Sequence, residues 1–247
     1  MRVRVSVPEA STAVVRRLRP AVLALAAVVA LPAVSYQQAA RSLDDATFRI
    51  HRDDVPTARE RFALRSEGGA MEVVGRLTWE GEGSDASDVA FELLVRTDEA
   101  YRPQFFQLRS DGSGDAVGQR SGERIRVRVA TDRGDRWTEM VAPPDVSVIE
   151  PRLAHHYQLL LRQHADALEA SGEHSGQALV PSAGERLALE IRRTEAGPAA
   201  AGGRASNAYE VRVGSVTARI WADDEGRVWR LEIPEQSWIA TRTEEGT

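Results

Sequence analysis

Two residue types are missing from this chain of 247 residues: cysteine and lysine. Without cysteine there is no thiol nucleophile, no disulfide and no cysteine-held metal. Without lysine there is no Schiff-base amine and no phosphate-loop lysine. All 32 basic residues are arginine, and Asn207 is the single asparagine, a bias that fits GC-rich coding. Two motifs are absent as well. No Gly-x-Ser-x-Gly elbow supports an acyl-transfer serine. No Gly-x-Gly-x-x-Gly opens a helix, so dinucleotide binding has no support. A domain without disulfides rests on its core, and this chain is long enough to bury one. With 42% hydrophobic and 28% charged residues, the composition is that of a folded domain.

Charge is unevenly placed. Residues 1–35 hold five of the 32 basic residues (Arg2, Arg4, Arg16, Arg17, Arg19) and one of the 37 acids, Glu9. The rest of the chain therefore carries 27 basic and 36 acidic residues, a net −9. An acidic body disfavours nucleic acid as a partner. The basic residues precede an apolar run from Ala21 to Leu31, then Pro32-Ala33-Val34-Ser35. This order is that of a signal peptide cleaved after Ser35. The alternative is a membrane anchor over residues 14–34, whose apolar part is short of the ~20 residues a spanning helix needs. Either reading places the body outside the cytoplasm, in the periplasm or an equivalent compartment. The boundaries expected are 1–35 signal or anchor, 36–45 linker, 46–243 one β-rich domain and 244–247 tail.

Alternation dominates the body. Ile125, Val127 and Val129 alternate with Arg124, Arg126 and Arg128, and the same period recurs at 185–192, 210–213 and 229–233. One face of each segment is apolar and the other charged, the pattern of an antiparallel sheet with one wet side. Breakers such as Asp53-Asp54, Gly68-Gly69, Asp111-Gly112, Gly214-Ser215 and Asp223-Asp224-Glu225-Gly226 fall at hairpin spacing. Strands are predicted near 46–51, 58–66, 70–80, 88–97, 103–110, 123–131, 136–142, 176–181, 185–194, 207–213, 215–222, 227–233 and 236–243. So many strands do not lie flat. The fold class expected is mainly β, a curled antiparallel sheet forming a half-barrel or open barrel.

One segment has a different period. Leu153, Tyr157, Leu160, Leu161, His164 or Ala165, and Leu168 mark a helical stripe behind Pro151, with Gly172 past its end. It predicts one amphipathic helix packed on or in the sheet. His155, His156 and His164 lie on it, but no pair has the three- or four-residue spacing of a helical metal pair. They read as histidines of the helix surface or of a lid. Asp111-Gly-Ser-Gly-Asp115 starts like a calcium loop, yet Ala116 and Gly122 stand where that loop needs Gly and Glu. Ser171 and His174 lie close, in a polar loop, with no motif around them. No metal or other cofactor is expected.

The five tryptophans are the remaining signal. Strand tryptophans are mostly core residues. The functional alternative is an apolar groove on the concave face, lined by Trp79, Phe91, Phe106, Trp221 and Trp229, that accepts an acyl chain or a lipidated partner.

The layout resembles bacterial envelope half-barrel proteins of the lipoprotein-carrier (LolA/LolB-like) type. The likeness rests on Ala46-Thr-Phe-Arg-Ile-His51 before Asp53-Asp54-Val-Pro56, and on Asp98-Glu-Ala-Tyr101-Arg102-Pro103 reopening as Gln104-Phe105-Phe106. It rests also on a mid-chain helix over 152–170 and on the hairpin from Trp221-Ala-Asp223 through Gly226 and Trp229 to Pro234. It spans roughly 42–243, and its motifs are turns that carry no chemistry. Those carriers have more lid helix than the one segment here. The resemblance implies a non-catalytic protein that binds a hydrophobic ligand or lipidated protein. Two alternatives stand beside it: an envelope hydrolase whose site is assembled only by folding, and a membrane-anchored structural or interaction module.

Overall fold

The computed structural model describes residues 40–80, 89–111, 114–195 and 203–243. The signal or anchor segment, most of the linker and the tail lie outside these residues.

Each strand expected from alternation is present. The strands are β1 (Arg41–Arg52), β2 (Val55–Glu67), β3 (Ala70–Trp79), β4 (Val89–Thr97), β5 (Pro103–Ser110), β6 (Ala116–Ser121), β7 (Arg124–Thr131) and β8 (Gly134–Val141). After the short β9 (Ser147–Val148) come β10 (Glu173–Val180), β11 (Glu185–Thr194), β12 (Asn207–Val213), β13 (Val216–Ala222), β14 (Val228–Ile233) and β15 (Trp238–Thr243). β6 and β9 were not expected, and β1 starts five residues early, inside the supposed linker.

These strands form one sheet in the order β8-β7-β6-β5-β4-β3-β2-β1-β15-β14-β13-β12-β11-β10-β9. Nearly every neighbour is a hairpin partner. The turns explain the register. Asp53 and Asp54 both hold positive φ (49° and 62°), as do Gly68 and Gly69 (58° and 84°), the two-residue geometry that matches strand twist. The exception to the meander is β1 with β15, which pairs the first and last described strands from Thr47↔Thr243 to Arg52↔Trp238. The sheet is curled but not closed: β8 and β9 are its two edges. Side chains cross this seam. Arg136 donates to the Ala183 carbonyl and Arg186 to the Val141 carbonyl.

β9 and β10 are the one parallel pair. A parallel connection needs a crossover, and the helical segment supplies it. It comprises two helices instead of the one expected, α1 (Ala154–Gln163) and α2 (Ala165–Ser171). They break at His164, whose φ of −110° and ψ of 16° are not helical. Residues Ala154 to Leu161 of α1 are all buried. A helix buried on every side lies inside the fold, so α1 fills the concave side of the sheet. Its Leu159, Leu160 and Leu161 join Phe48, Phe62, Leu77, Leu93, Phe106, Val127, Val211 and Leu231 in one continuous core. Two glycines permit close packing on the inner face. A Cβ on Gly75 would lie 2.1 Å from the His155 ring, and one on Gly118 would lie 2.0 Å from Phe106.

Candidate functional site

An inward helix with polar residues must have its partners supplied by the sheet. α1 has no local side-chain cap. Glu60, on the inner face of β2 between Ala58 and Phe62, serves instead. Its Oε2 accepts the Ala154 N–H at 2.7 Å and its Oε1 the His155 N–H at 2.9 Å. A carboxylate at the positive end of the helix is also favoured electrostatically. His155 Nδ1 lies 2.6 Å from the same Oε1, with both side chains fully buried. The expectation of surface or lid histidines is therefore wrong: His155 and His156 are 0% exposed and His164 is 5% exposed. Helical periodicity placed His155 off the apolar stripe. It could not foresee a glutamate 95 residues earlier.

His156 turns the other way. Its Nδ1 accepts the Glu150 N–H at 2.8 Å, so the neutral ring carries its proton on Nε2. Burial first, and the neighbouring His155 second, hold its pKa well below the usual imidazole range. Burial pushes the Glu150 carboxyl up, against the pull of Ser182 and Arg152. The Nε2 atoms of His155 and His156 are both buried without a hydrogen-bond partner among the described residues. Those residues include no group of three or more His, Asp or Glu able to hold a metal ion.

A second network joins the first and last strands, paired in the middle of the sheet, to α1. Gln158 Nε2 donates to Asp44 Oδ2 at 2.6 Å, and Gln158 Oε1 accepts the Val228 N–H at 3.2 Å. Arg242 on β15 donates to both Asp44 carboxylate oxygens, through Nη1 at 3.1 Å and through Nη2. Its guanidinium also lies over the rings of Phe62 and Trp229. Burial alone would raise the Asp44 pKa, but the hydrogen bonds from Arg242 and Gln158 hold it below the ordinary value.

The Ser147 Oγ lies 2.9 Å from His164 Nε2, the distance of a nucleophile and its base. The protons are already assigned, however. Gln163 Nε2 donates to the carbonyls of Asp145 and Val146, so its Oε1 faces Ser147 and accepts the hydroxyl proton at 2.9 Å. His164 must then donate from Nε2 to Ser147. The arrangement pins the β9 segment to α1 and leaves no base to activate the serine. His174 stacks on His164 at 3.8 Å between centroids. Burial, with His174 adding to it, lowers the His164 pKa to about 4. Ser171 is spent at the end of α2, donating to the carbonyls of Ala167 and Glu173.

The five aromatic residues of the expected groove do not meet in one place. Phe91 and Phe106 are part of the main core. Trp221 and Trp229 form a separate cluster with Ala205 and Ala208. Trp221 stands opposite Ala208 in register, and its chain neighbours Ile220 and Ala222 belong to the main core, so Trp221 faces away from it. Trp229 Nε1 donates to Asp223, whose other oxygen caps the turn at Glu225 and Arg227. Trp79 is 37% exposed and meets Trp238 edge-on at 6.4 Å. Within the calcium-like loop residues 112 and 113 lie outside the described residues, and Asp115 Oδ1 accepts the Ser110 N–H.

A large concavity lies on the outer face. It measures about 680 Å³ and runs across β6, β7 and β8 between Gln119, Arg124, Arg126, Arg128, Trp137 and Glu139. Glu139 accepts from Arg124 at 3.0 Å and from Arg126 at 3.1 Å, and Asp135 accepts from Arg128 at 3.4 Å. Hydrogen bonds from Arg126 and then Arg124 hold the Glu139 carboxyl below its ordinary range. A second concavity of about 450 Å³ lies at the seam, lined by Arg136, Thr138, Met140, Gly184, Glu185 and Arg186.

No family model matches this chain, and no curated protein does. Among solved structures, the chain is similar to a β-barrel-like protein of a domain of unknown function, DUF1849, from Brucella abortus. The TM-score is 0.48 at 7% identity, over 81% of this chain and 94% of that one.

Proposed function

We propose that this chain is an exported envelope protein that binds a hydrophobic ligand or a lipidated partner and has no catalytic role. The observation that carries the reading is the unclosed sheet. Its concave face is apolar, its edges β8 and β9 are not joined by a ladder, and a concavity of about 450 Å³ lies at the Arg136–Gly184 seam between them. α1 occupies that interior, packed into the same core and held also through polar pins at Glu60, Asp44 and Arg242. The commitment of the Ser147 hydroxyl to Gln163, with His164 contacting Ser147, supports a non-catalytic role. The resemblance to lipoprotein carriers is compatible with a curled sheet of this kind, while the inner helix stands where a carrier would hold its cargo. Of Trp79, Phe91, Phe106, Trp221 and Trp229, Phe91 and Phe106 stand on the inner wall, while Trp221 and Trp229 form a cluster of their own and Trp79 is partly exposed.

The test is retention of lipid by the purified full-length chain in native mass spectrometry, with tryptophan fluorescence during titration with acyl probes. Bound lipid or a saturable fluorescence change is the expected result. Absence of both rules the reading out.

A further inference from the structure

The outer face of β6–β8 differs from the other outer walls of the sheet. On the β2–β4 and β11–β12 walls arginines and acids form one-to-one pairs: Arg59 with Glu80, Arg76 with Glu92, Arg96 with Glu72, Arg212 with Glu190. On β7–β8 three guanidiniums share two carboxylates, since Glu139 serves both Arg124 and Arg126. On the strand faces this wall carries three arginines (124, 126, 128) and two acids (135, 139), a small local excess of positive charge on a body of net −9. The same wall exposes apolar groups. Trp137 is 62% and Val141 52% exposed, and both lie on β8 at the parity of Glu139. In the register Trp137 stands opposite Arg128, and Val141 opposite Arg124.

Exposed indole beside arginine is the composition of a protein surface at a membrane interface. There the ring sits at headgroup depth and each cation is attracted to anionic lipid. Each guanidinium has five N–H donors in a fixed fork, and the bonds to Glu139 and Asp135 leave others directed outwards. The groove is open along one side, so it suits a headgroup presented by a surface more than an enclosed small molecule.

We infer that the β6–β8 wall, through Arg124, Arg126, Arg128 and Trp137, docks the protein on a membrane surface bearing anionic phosphate headgroups. Glu139 holds the arginines in place between encounters. The contact is peripheral, falls off with salt and does not require a ligand inside the sheet.

The experiment is vesicle flotation of the full-length chain with phosphatidylcholine alone and with phosphatidylglycerol mixed in. Every variant keeps the N-terminal segment, whose five arginines also favour phosphatidylglycerol, so its share of the increment is common to all variants and the comparison between variants reads the wall. The expected result is a salt-sensitive increment with phosphatidylglycerol that falls about tenfold or more in R124E/R126E and is weakened in W137S. R76E/R96E makes the same charge change on the β3–β4 wall and should leave the increment within about twofold. All variants are checked for an unchanged circular dichroism spectrum. An increment that is absent, or equal in the two double variants, overturns the inference. So does binding of soluble glycerol 3-phosphate as tight as binding to vesicles, because the site would then recognise a free phosphate. Neither outcome bears on whether acyl probes enter the barrel.

Discussion

The two faces of this sheet use charge in opposite ways. On the outer face, pairs such as Arg96–Glu72 at 2.8 Å and Arg76–Glu92 at 3.1 Å are half in water. Each contributes little, because water screens the attraction and the long side chains lose freedom in pairing. On the inner face, Asp44–Arg242 and Glu60–His155 have lost nearly all their water. Their loss is costly, since removing one partner leaves the other buried and unpaired. The same residue types therefore act as a solvated coat outside and as pins inside. The pins decide which helix occupies the interior and in what orientation.

The comparison breaks most sharply at Arg242. R242A leaves the buried Asp44 carboxylate without its counter-charge, with Gln158 as its remaining donor, and should cost about 3–5 kcal/mol in urea unfolding. The double change D44L/R242M removes both charges and should recover most of that loss. A small effect of the single change would show that water reaches the pair. Next comes E60L, which strips the acceptor from the Ala154 and His155 amides. About 2–3 kcal/mol is expected, with faster hydrogen exchange at those two amides than elsewhere in α1. G75A presses a Cβ into the His155 ring and should cost about 1–3 kcal/mol without touching any charge.

Acid sharpens the same contrast. His156 and His164 have folded pKa values below the unfolded imidazole value of about 6.5, that of His164 being about 4. Below pH 6.5 the unfolded chain binds more protons than the folded one. Stability is thus full above that pH and falls as pH drops towards 4, by at most about 1.4 kcal/mol per pH unit for each group. Glu150 runs the other way, because its raised pKa favours the protonated folded state near its titration. H156F should flatten the slope between pH 6.5 and 5 in urea titrations at stepped pH. The smallest effect is expected outside: R96A or R76A should change stability by less than about 0.5 kcal/mol. A larger loss would erase the distinction between the faces.

Particular segments show how far the primary structure could be read. The strand at 124–131 is legible because Arg and Ile or Val alternate without a break. β6 was missed because Gly118 and Gln119 interrupt that alternation, although Gly118 is required by Phe106. β9 is two residues long and exists because the helical crossover returns it beside β10. The helix was legible from its stripe, but its break at His164 was not. The signal for Glu60 was present: it has the parity of Ala58, Phe62 and Leu64, so it is an acid on a core face. Its meaning needed the partner. The aromatic groove failed because period-two patterns say that side chains alternate, without saying which residues of distant strands converge.

Local chemistry was sufficient for the fold class, the hairpin turns, the curled sheet and the exclusion of thiol and lysine chemistry. Those follow from side-chain period, turn residues and residue inventory, which are properties of short stretches. Tertiary structure alone decided that α1 lies inside, that Glu60 caps it, that Asp44 meets Arg242 and that Ser147 is bound to Gln163. Each of these joins residues far apart in the chain, and buried polar groups take the partners that folding brings to them.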